Sequence, residues 1–160
     1  MPRDLVPQIP YIHKLVEAFR IPVFIQEGQE ADDVIATLAR RAEADGMEVT
    51  IVTGDKDILQ LVGQRIRVYD TLKEKVYEPQ DVQERFGVPP SGVIEILGLM
   101  GDASDNIPGV PGIGEKTAQT LMKQYGSIEN LLAHLDEVAR PKLRQSLTEN
   151  AHLARLSREL

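Results

Sequence analysis

The sequence contains no cysteine and no tryptophan. Without cysteine there is no disulfide framework and no zinc–thiolate site, and a reducing compartment is the simplest setting. Aromatic side chains are few, three Phe and four Tyr, which argues against a stacking platform for single-stranded nucleic acid. No uncharged stretch approaches the ~18 residues of a membrane span, and no N-terminal segment has the form of a signal peptide. The expected setting is therefore the cytoplasm, with no membrane partner. An excess of positive charge is also lacking. Eighteen bases face 25 acids, for a net charge of −7, whereas nucleic-acid partners favour a basic footprint.

What is present suits a soluble fold. The chain has 160 residues, 42% of them hydrophobic, enough for one domain or for one domain with a small appended module. Folding at this size buries about two thirds of the unfolded surface. The acids are unevenly placed. Seven of them fall into three short clusters: Glu30, Asp32 and Asp33; Asp55 and Asp57; Asp102 and Asp105. These seven account for the whole of the net charge.

Apolar residues Leu5, Ile9, Ile12, Leu15, Val16 and Phe19 predict a helix over residues 4–19, with Asp4 as its cap. Ile21–Ile25 has the pattern of a short strand. A helix is expected from about Glu30 to Ala44, ending at Gly46, and Val49–Val52 is the clearest strand. A short helix over Ile58–Val62 leads to strands at Ile66–Tyr69 and Lys75–Tyr77. The alternation predicts a parallel α/β sheet flanked by helices. Beyond Pro79 the pattern is helical: Asp81–Phe86, Val93–Met100, Lys116–Tyr125, Ile128–Ala133 and a tail over roughly Lys142–Arg158. The expected organisation is thus an α/β core over 1–78 and a helical module over 79–160. No internal repeat or low-complexity segment is found.

Each acidic cluster has an ordinary explanation. Acids in a first turn favour the helix dipole by ~0.3–1 kcal/mol each, which suits Glu30, Asp32 and Asp33. Yet Asp32 continues the stripe of Ile35 and Ala39, which directs it toward the edge of the sheet, and cap and site stand at even odds. An N-cap before Ile58 needs one aspartate and leaves the other of Asp55 and Asp57 unexplained. Their place after a strand is informative, because open α/β sheets bind ligands at the carboxyl ends of strands. Asp102 and Asp105 lie in a polar loop where Asx turns are common. Converging carboxylates ~4 Å apart would repel by about 4 kcal/mol per pair at an effective dielectric near 20. Oxygen-only ligands select a hard ion such as Mg²⁺ or Mn²⁺. Two such ions ~4 Å apart can activate water and stabilise the leaving oxygen of a phosphodiester. The three histidines, His13, His134 and His152, lie in separate helical segments and are expected on the surface or in the core.

Gly112-Ile-Gly114, between two helices, has the form of a helix-hairpin-helix over about residues 99–125. Glycines such as Gly109, Gly112 and Gly114 let backbone approach a phosphate, and the next helix offers free N–H groups at Lys116 and Thr117. Ile113 is the expected buried staple, with Ala118 and Leu121 behind it. Lys116 opposes the helix dipole in a first turn, and a phosphate partner would explain it. Such contacts grip the duplex backbone without reading sequence.

Glu30-Ala-Asp-Asp-Val, Thr53-Gly-Asp-Lys-Asp and Gly101-Asp-Ala-Ser-Asp-Asn-Ile-Pro-Gly-Val-Pro-Gly-Ile-Gly-Glu-Lys-Thr-Ala follow one another in this order. Together they resemble the 5′ nuclease (5′-3′ exonuclease) domain of bacterial DNA polymerase I, of the flap endonuclease superfamily, over essentially the whole chain. The resemblance implies an incomplete PIN/5′-nuclease-like core with a helix-hairpin-helix module. It implies a two-metal enzyme that cuts 5′ flaps or nicked duplex DNA and removes RNA primers in replication and repair, in a bacterial, nucleoid-associated setting. By that likeness Glu30, Asp32, Asp33 and Asp55 serve one metal, and Asp57, Asp102 and Asp105 the other. Asp32, Asp33 and Asp55 stand closest to catalysis, and hairpin carbonyls coordinate K⁺. The family pattern begins with a strand ending in a metal-binding aspartate and a basic arch, neither of which matches here. The expectation is an N-terminally truncated chain with a raw sheet edge, from a parent protein in which a polymerase domain can follow. Two readings stay open, a catalytic 5′ nuclease and a catalytically impaired duplex-binding module. A small-molecule phosphohydrolase built on Asp55 and Asp57 gives the hairpin no role.

Overall fold

The computed structural model describes residues 3–103 and 105–160. The chain forms two compact units, with the boundary between Leu38 and Ala39.

In the N-terminal unit a 3₁₀ turn over Val6–Gln8 runs into α1, Ile9–Ala18. Asp4 is not its cap: no side chain caps this helix, and the Asp4 carbonyl accepts from the Gln8 side chain instead. The chain turns at Arg20, whose φ of 57° is left-handed, while Ile21 N–H closes on Val16 O. The strand expected at Ile21–Ile25 is not formed. A strand needs a neighbouring ladder for its N–H and C=O groups, and no described segment supplies one. Ile21, Val23, Phe24 and Ile25 are all exposed. The next helix, α2, spans Ala31–Ala44 and stops before Gly46, whose φ is +82°.

The second unit holds the sheet. β1 (Val49–Val52) pairs in parallel with β2 (Ile66–Asp70), from Val49 opposite Ile66 to Val52 opposite Tyr69. β3 (Lys75–Tyr77) pairs with β2 in antiparallel fashion. The α/β class is as expected, but the sheet is mixed rather than wholly parallel. The physical reason lies in the turn: the few residues between β2 and β3 can only reverse the chain, since a parallel return needs a long crossover. Asp70, buried at the turn, accepts from the amides of Leu72 and Lys73 and from Lys73 Nζ. The helix expected after β1 is a 3₁₀ segment, Asp57–Leu61.

The remaining elements are helical. α3 (Pro79–Phe86) opens with a reciprocal Glu78–Asp81 capping box and ends at the left-handed Gly87. α4 (Val93–Met100) is the hub, with Val93, Ile96 and Leu99 fully buried. α5 (Glu115–Tyr125) packs beside it, followed by α6 (Ile128–Ala133), whose N-cap Ser127 accepts from Asn130 N–H. The tail expected as one helix is two, α7 (Pro141–Glu149) and α8 (Ala151–Glu159), divided at Asn150. α8 crosses α4 at Gly98, where an added Cβ would meet the Ala154 carbonyl at 3.3 Å. Buried Glu95 on α4 joins this region by accepting from Ile128 N–H and from Arg158 Nε. Among the described residues no helix is long and apolar enough to cross a membrane.

Candidate metal centre and glycine hairpin

The loop leaving β1 carries Thr53-Gly-Asp-Lys-Asp. Thr53 Oγ1 accepts from Asp55 N–H at 3.0 Å, and Asp55 Oδ1 accepts from Asp57 N–H at 2.9 Å. Asp55 therefore does the turn-stabilising work that one aspartate was expected to do. Asp57 is left over. Its Oδ1 is buried and has no hydrogen-bond partner among the described residues, an arrangement that costs about 1–3 kcal/mol unless something fills it.

The second acidic loop begins at the end of α4. Gly101 and Gly109 have φ of +68° and +59°, and their backbones pass in direct contact. A Cβ on Gly101 would lie 2.6 Å from both Gly109 N and Ile107 O. This approach lets Asp102 and Ile107 exchange both backbone hydrogen bonds, at 3.0 and 2.8 Å. The closed loop holds Asp102 and Asp105; Ser104 of the same motif lies outside the described residues.

The two loops bring Asp57, Asp102 and Asp105 together, with one carboxylate oxygen from each within 4.8 Å of the others. Burial, followed by the neighbouring charges of Asp55, Asp102 and Asp105, pushes the Asp57 carboxyl up from an ordinary 3.8 to about 6. Lys56 opposes this in part. Its ammonium donates to Asp102 Oδ2 at 2.6 Å, and that hydrogen bond raises the lysine pKa. Hard oxygen donors, an orphaned buried oxygen and a carboxyl that resists ionisation fit a divalent cation. The set opens into a cavity of about 410 Å³ lined also by Asp55, Asp70, Lys73, Tyr77 and Arg85.

Glu30, Asp32 and Asp33 belong to the N-terminal unit and are exposed at the start of α2. Along the expected stripe Ala39 is buried, Ile35 half-buried and Asp32 exposed. Asp33 lines a cavity of about 260 Å³ with Phe24, Ile25 and Leu38. The histidines stand apart from the acids: His13 on α1, His152 on α8, and His134 with its ring Nδ1 2.8 Å from Asn130 O.

At the hairpin Ile113 is buried, with Ala118 and Leu121 buried behind it. Its amide donates to Val110 O, and Gly109 N–H donates to Ser157 Oγ at 2.9 Å. Ser146 Oγ donates to Pro111 O at 2.6 Å. The loop is thus clasped from behind by serines of α7 and α8. Gly112 (φ +81°) and Gly114 face open space, with nothing within 4 Å of a Cβ built on either. Lys116 and Thr117 occupy the first turn of α5, Lys116 exposed and Thr117 half-buried. The Thr117 amide, expected from the sequence to be free, instead donates to Gly114 O at 3.0 Å, closing the turn.

Three basic residues at the acidic cavity escaped the sequence reading. Lys56 had a visible signal, since it stands between two aspartates of one motif. Lys73 and Arg85 had none, because only the β2–β3 turn and the end of α3 bring them to the cavity.

Comparison with known proteins adds to this geometry. The family model "5'-3' exonuclease, N-terminal resolvase-like domain" matches residues 1–87, and "5'-3' exonuclease, C-terminal SAM fold" matches residues 88–160. DNA polymerase I of Rhizobium leguminosarum is 46% identical over 159 residues, covering 99% of this chain and 16% of the relative. DNA polymerase I of Bacillus subtilis is 47% identical over 163 residues, covering 99% of this chain and 18% of the relative. The chain thus spans less than a fifth of the length of these relatives. Among solved structures, a T5 5′-exonuclease mutant superposes with a TM-score of 0.79 at 25% identity, covering 92% of this chain and 63% of that one. The catalytic core of Rad2 in complex with DNA substrate gives a TM-score of 0.60 at 22% identity, over 91% of this chain and 50% of that one, and shares the fold.

Proposed function

The chain belongs to the 5′-3′ exonuclease family, a family of metal-dependent 5′ nucleases, and from that premise we propose that it supplies a divalent-metal site and a duplex-DNA grip for hydrolysis of DNA from its 5′ side. One observation carries the reading: Asp57, Asp102 and Asp105 converge within 4.8 Å while Asp57 Oδ1 is buried and unsatisfied. A structural cluster would be expected to satisfy that oxygen; a ligand set leaves it for the ion.

In this proposal Asp57, Asp102 and Asp105 hold one Mg²⁺ or Mn²⁺ with Asp55 beside them, and Glu30, Asp32 and Asp33 are metal-binding acids of the N-terminal unit. Asp32, Asp33 and Asp55 are the acids assigned closest to the reacting phosphate. Bound there, such ions activate water and stabilise the leaving oxygen of a phosphodiester. Asp55 fixes the loop that presents Asp57, and Lys56 holds Asp102. At the hairpin, Gly112 and Gly114 keep the backbone open, while the Lys116 ammonium, the Thr117 hydroxyl and the positive end of α5 take a phosphate. Gly109 and Ile113 shape that loop from within, and its carbonyls are assigned a K⁺ ion. The substrates are duplex DNA with a 5′ flap or nick and the RNA primer of a nascent strand, beside a polymerase domain of the parent protein.

The test is a 5′-labelled flap duplex incubated with the chain and Mg²⁺. A short product bearing a 5′-phosphate, lost in Asp57→Ala, supports the enzyme. Duplex binding without cleavage supports instead an impaired DNA-binding module, to which the hairpin geometry is equally suited.

A further inference from the structure

The acidic cavity poses an electrostatic problem that its own ligands do not solve. Five aspartates line it, Asp55, Asp57, Asp70, Asp102 and Asp105, of which Asp70 is paired with Lys73, and a DNA backbone brought to the cavity meets like charge. Lys56 is committed to Asp102, and Lys73 to Asp70. Arg85 is different. It lines the same cavity, yet among the described residues its guanidinium has no carboxylate partner. It is exposed and rests instead against the ring of buried Phe86, 5.1 Å from the centroid. An arginine in a last helical turn favours the dipole, which explains its tolerance on α3 but not its placement at this wall.

The neighbours of Arg85 extend toward the hairpin. Gln119 of α5 donates from Nε2 to the Arg85 carbonyl at 3.4 Å. One turn further along α5, the end of the Lys123 side chain lies over the left-handed Gly87, in the space a Cβ there would occupy. Lys123 likewise has no carboxylate partner among the described residues. Lys116, Gln119 and Lys123 follow the i, i+3, i+7 spacing of one helix face. The two lysines are therefore about 10 Å apart along the axis, roughly three nucleotide rises of 3.4 Å. That face begins at the hairpin and reaches, through Gln119, the element that carries Arg85.

We propose that Arg85 and Lys123 form a binding site for backbone phosphates of the DNA strand, continuing the hairpin contact at Lys116 along α5 to the wall of the acidic cavity. The proposal rests on the nuclease reading above and adds to it a path for the strand. The guanidinium offers a planar fork of donors that suits a phosphate, and its seat on Phe86 leaves those donors free. Strand phosphates meeting Lys116, Lys123 and then Arg85 would arrive at the aspartates with their charge already partly met.

The experiment measures duplex binding by the whole chain in EDTA, by anisotropy of a labelled oligonucleotide across a salt series. Arg85→Gln and Lys123→Gln are each expected to lower the slope of log affinity against log salt by about 0.9, the value for one lost phosphate contact. Arg85→Lys, which keeps the charge, should keep the slope. Arg155→Gln, which removes a cation already paired with Glu129, should leave it unchanged, and Arg85→Gln should bind Mn²⁺ as the parent does. If Lys116→Gln lowers the slope while Arg85→Gln and Lys123→Gln do not, the path is wrong and the hairpin stands. An equal fall in Arg155→Gln would reduce the effect to net charge and overturn the path, as would loss of Mn²⁺ binding in Arg85→Gln. Should the parent chain not bind duplex at all, the path and the DNA-binding reading fall together.

Discussion

Lys56 Nζ lies 2.6 Å from Asp102 Oδ2, so the acidic centre holds a cation of its own. The lysine comes from the loop after β1 and the aspartate from the loop after α4, which makes the pair a tie between the two ligand-bearing segments. The same ammonium repels a divalent ion entering beside it. Lys56→Met is therefore expected to destabilise the metal-free chain while tightening Mn²⁺ binding, by on the order of tenfold for one removed like charge a few ångströms away. Calorimetric titration with Mn²⁺ reads this directly. Weaker binding in the variant would show that the lysine assembles the site more than it competes for it.

The raised pKa of Asp57 gives a pH dependence of definite sign. Between pH 3.8 and about 6 the folded carboxyl holds a proton that the unfolded one releases. The folded state then binds more protons, and stability falls as pH rises through this window. A shift of this size corresponds to about 3 kcal/mol, reduced to about 1 by the exposed half of the side chain. Asp57→Asn should flatten the decline in Tm and be the more stable protein at pH 7 without metal. Metal requires the ionised form, so Mn²⁺ affinity of the parent should climb as pH passes through about 6. A flat affinity profile from pH 5 to 7 would remove Asp57 from the ligand set.

Gly101 and Gly109 are irreplaceable for two reasons that add. Both have left-handed φ, and each backbone occupies the space where the other's Cβ would be. Gly109→Ala should cost about 1–3 kcal/mol from backbone strain alone, with more from the clash. The loop that places Asp102 and Asp105 would open, so Mn²⁺ affinity should fall with Tm. Gly54→Ala, whose Cβ meets nothing within 4 Å and whose φ is not left-handed, is the matched control and should change Tm little.

Ser157 is a positioning residue for the hairpin. Its Oγ accepts from Gly109 N–H in a buried setting, and Ser157→Ala leaves that donor unsatisfied at a cost of about 1–3 kcal/mol. A purely structural role would lower Tm and nothing else. The clasp predicts weaker duplex binding as well, at temperatures where the variant remains folded by circular dichroism, with restoration by Ser157→Thr.

Much of this architecture was legible in the residues. Val49–Val52 reads as a strand because Val49, Ile51 and Val52 form a β-branched apolar run flanked by Gly46 and Gly54, and the structure places β1 there. Ile113, Ala118 and Leu121 were expected to be the buried side of the hairpin, and all three are buried. Periodicity is a local property, so local elements follow from it. Pairing is not local. Ile21–Ile25 has, Pro22 apart, the β-branched and aromatic residues a strand favours and forms none, since a ladder needs a partner. The direction of β3 was set by the short turn anchored on Asp70, which alternation of apolar residues does not encode.

The sequence by itself determined the chemistry of this protein: aspartates in place of cysteines or histidines as candidate ligands, two glycine-rich turns, and the periodicity of its helices. Those follow from side-chain identity and from contacts a few residues apart. Only the tertiary structure decided which acids meet, which lysine neutralises them, and that Arg85 and Lys123 stand uncommitted between the cavity and the hairpin. Such facts arise where loops distant in the chain are brought together, as Gly101 and Gly109 bring Asp102 and Asp105 to Asp57. Charge acts over a few ångströms of space whatever the separation along the chain, and that distance is fixed only by folding.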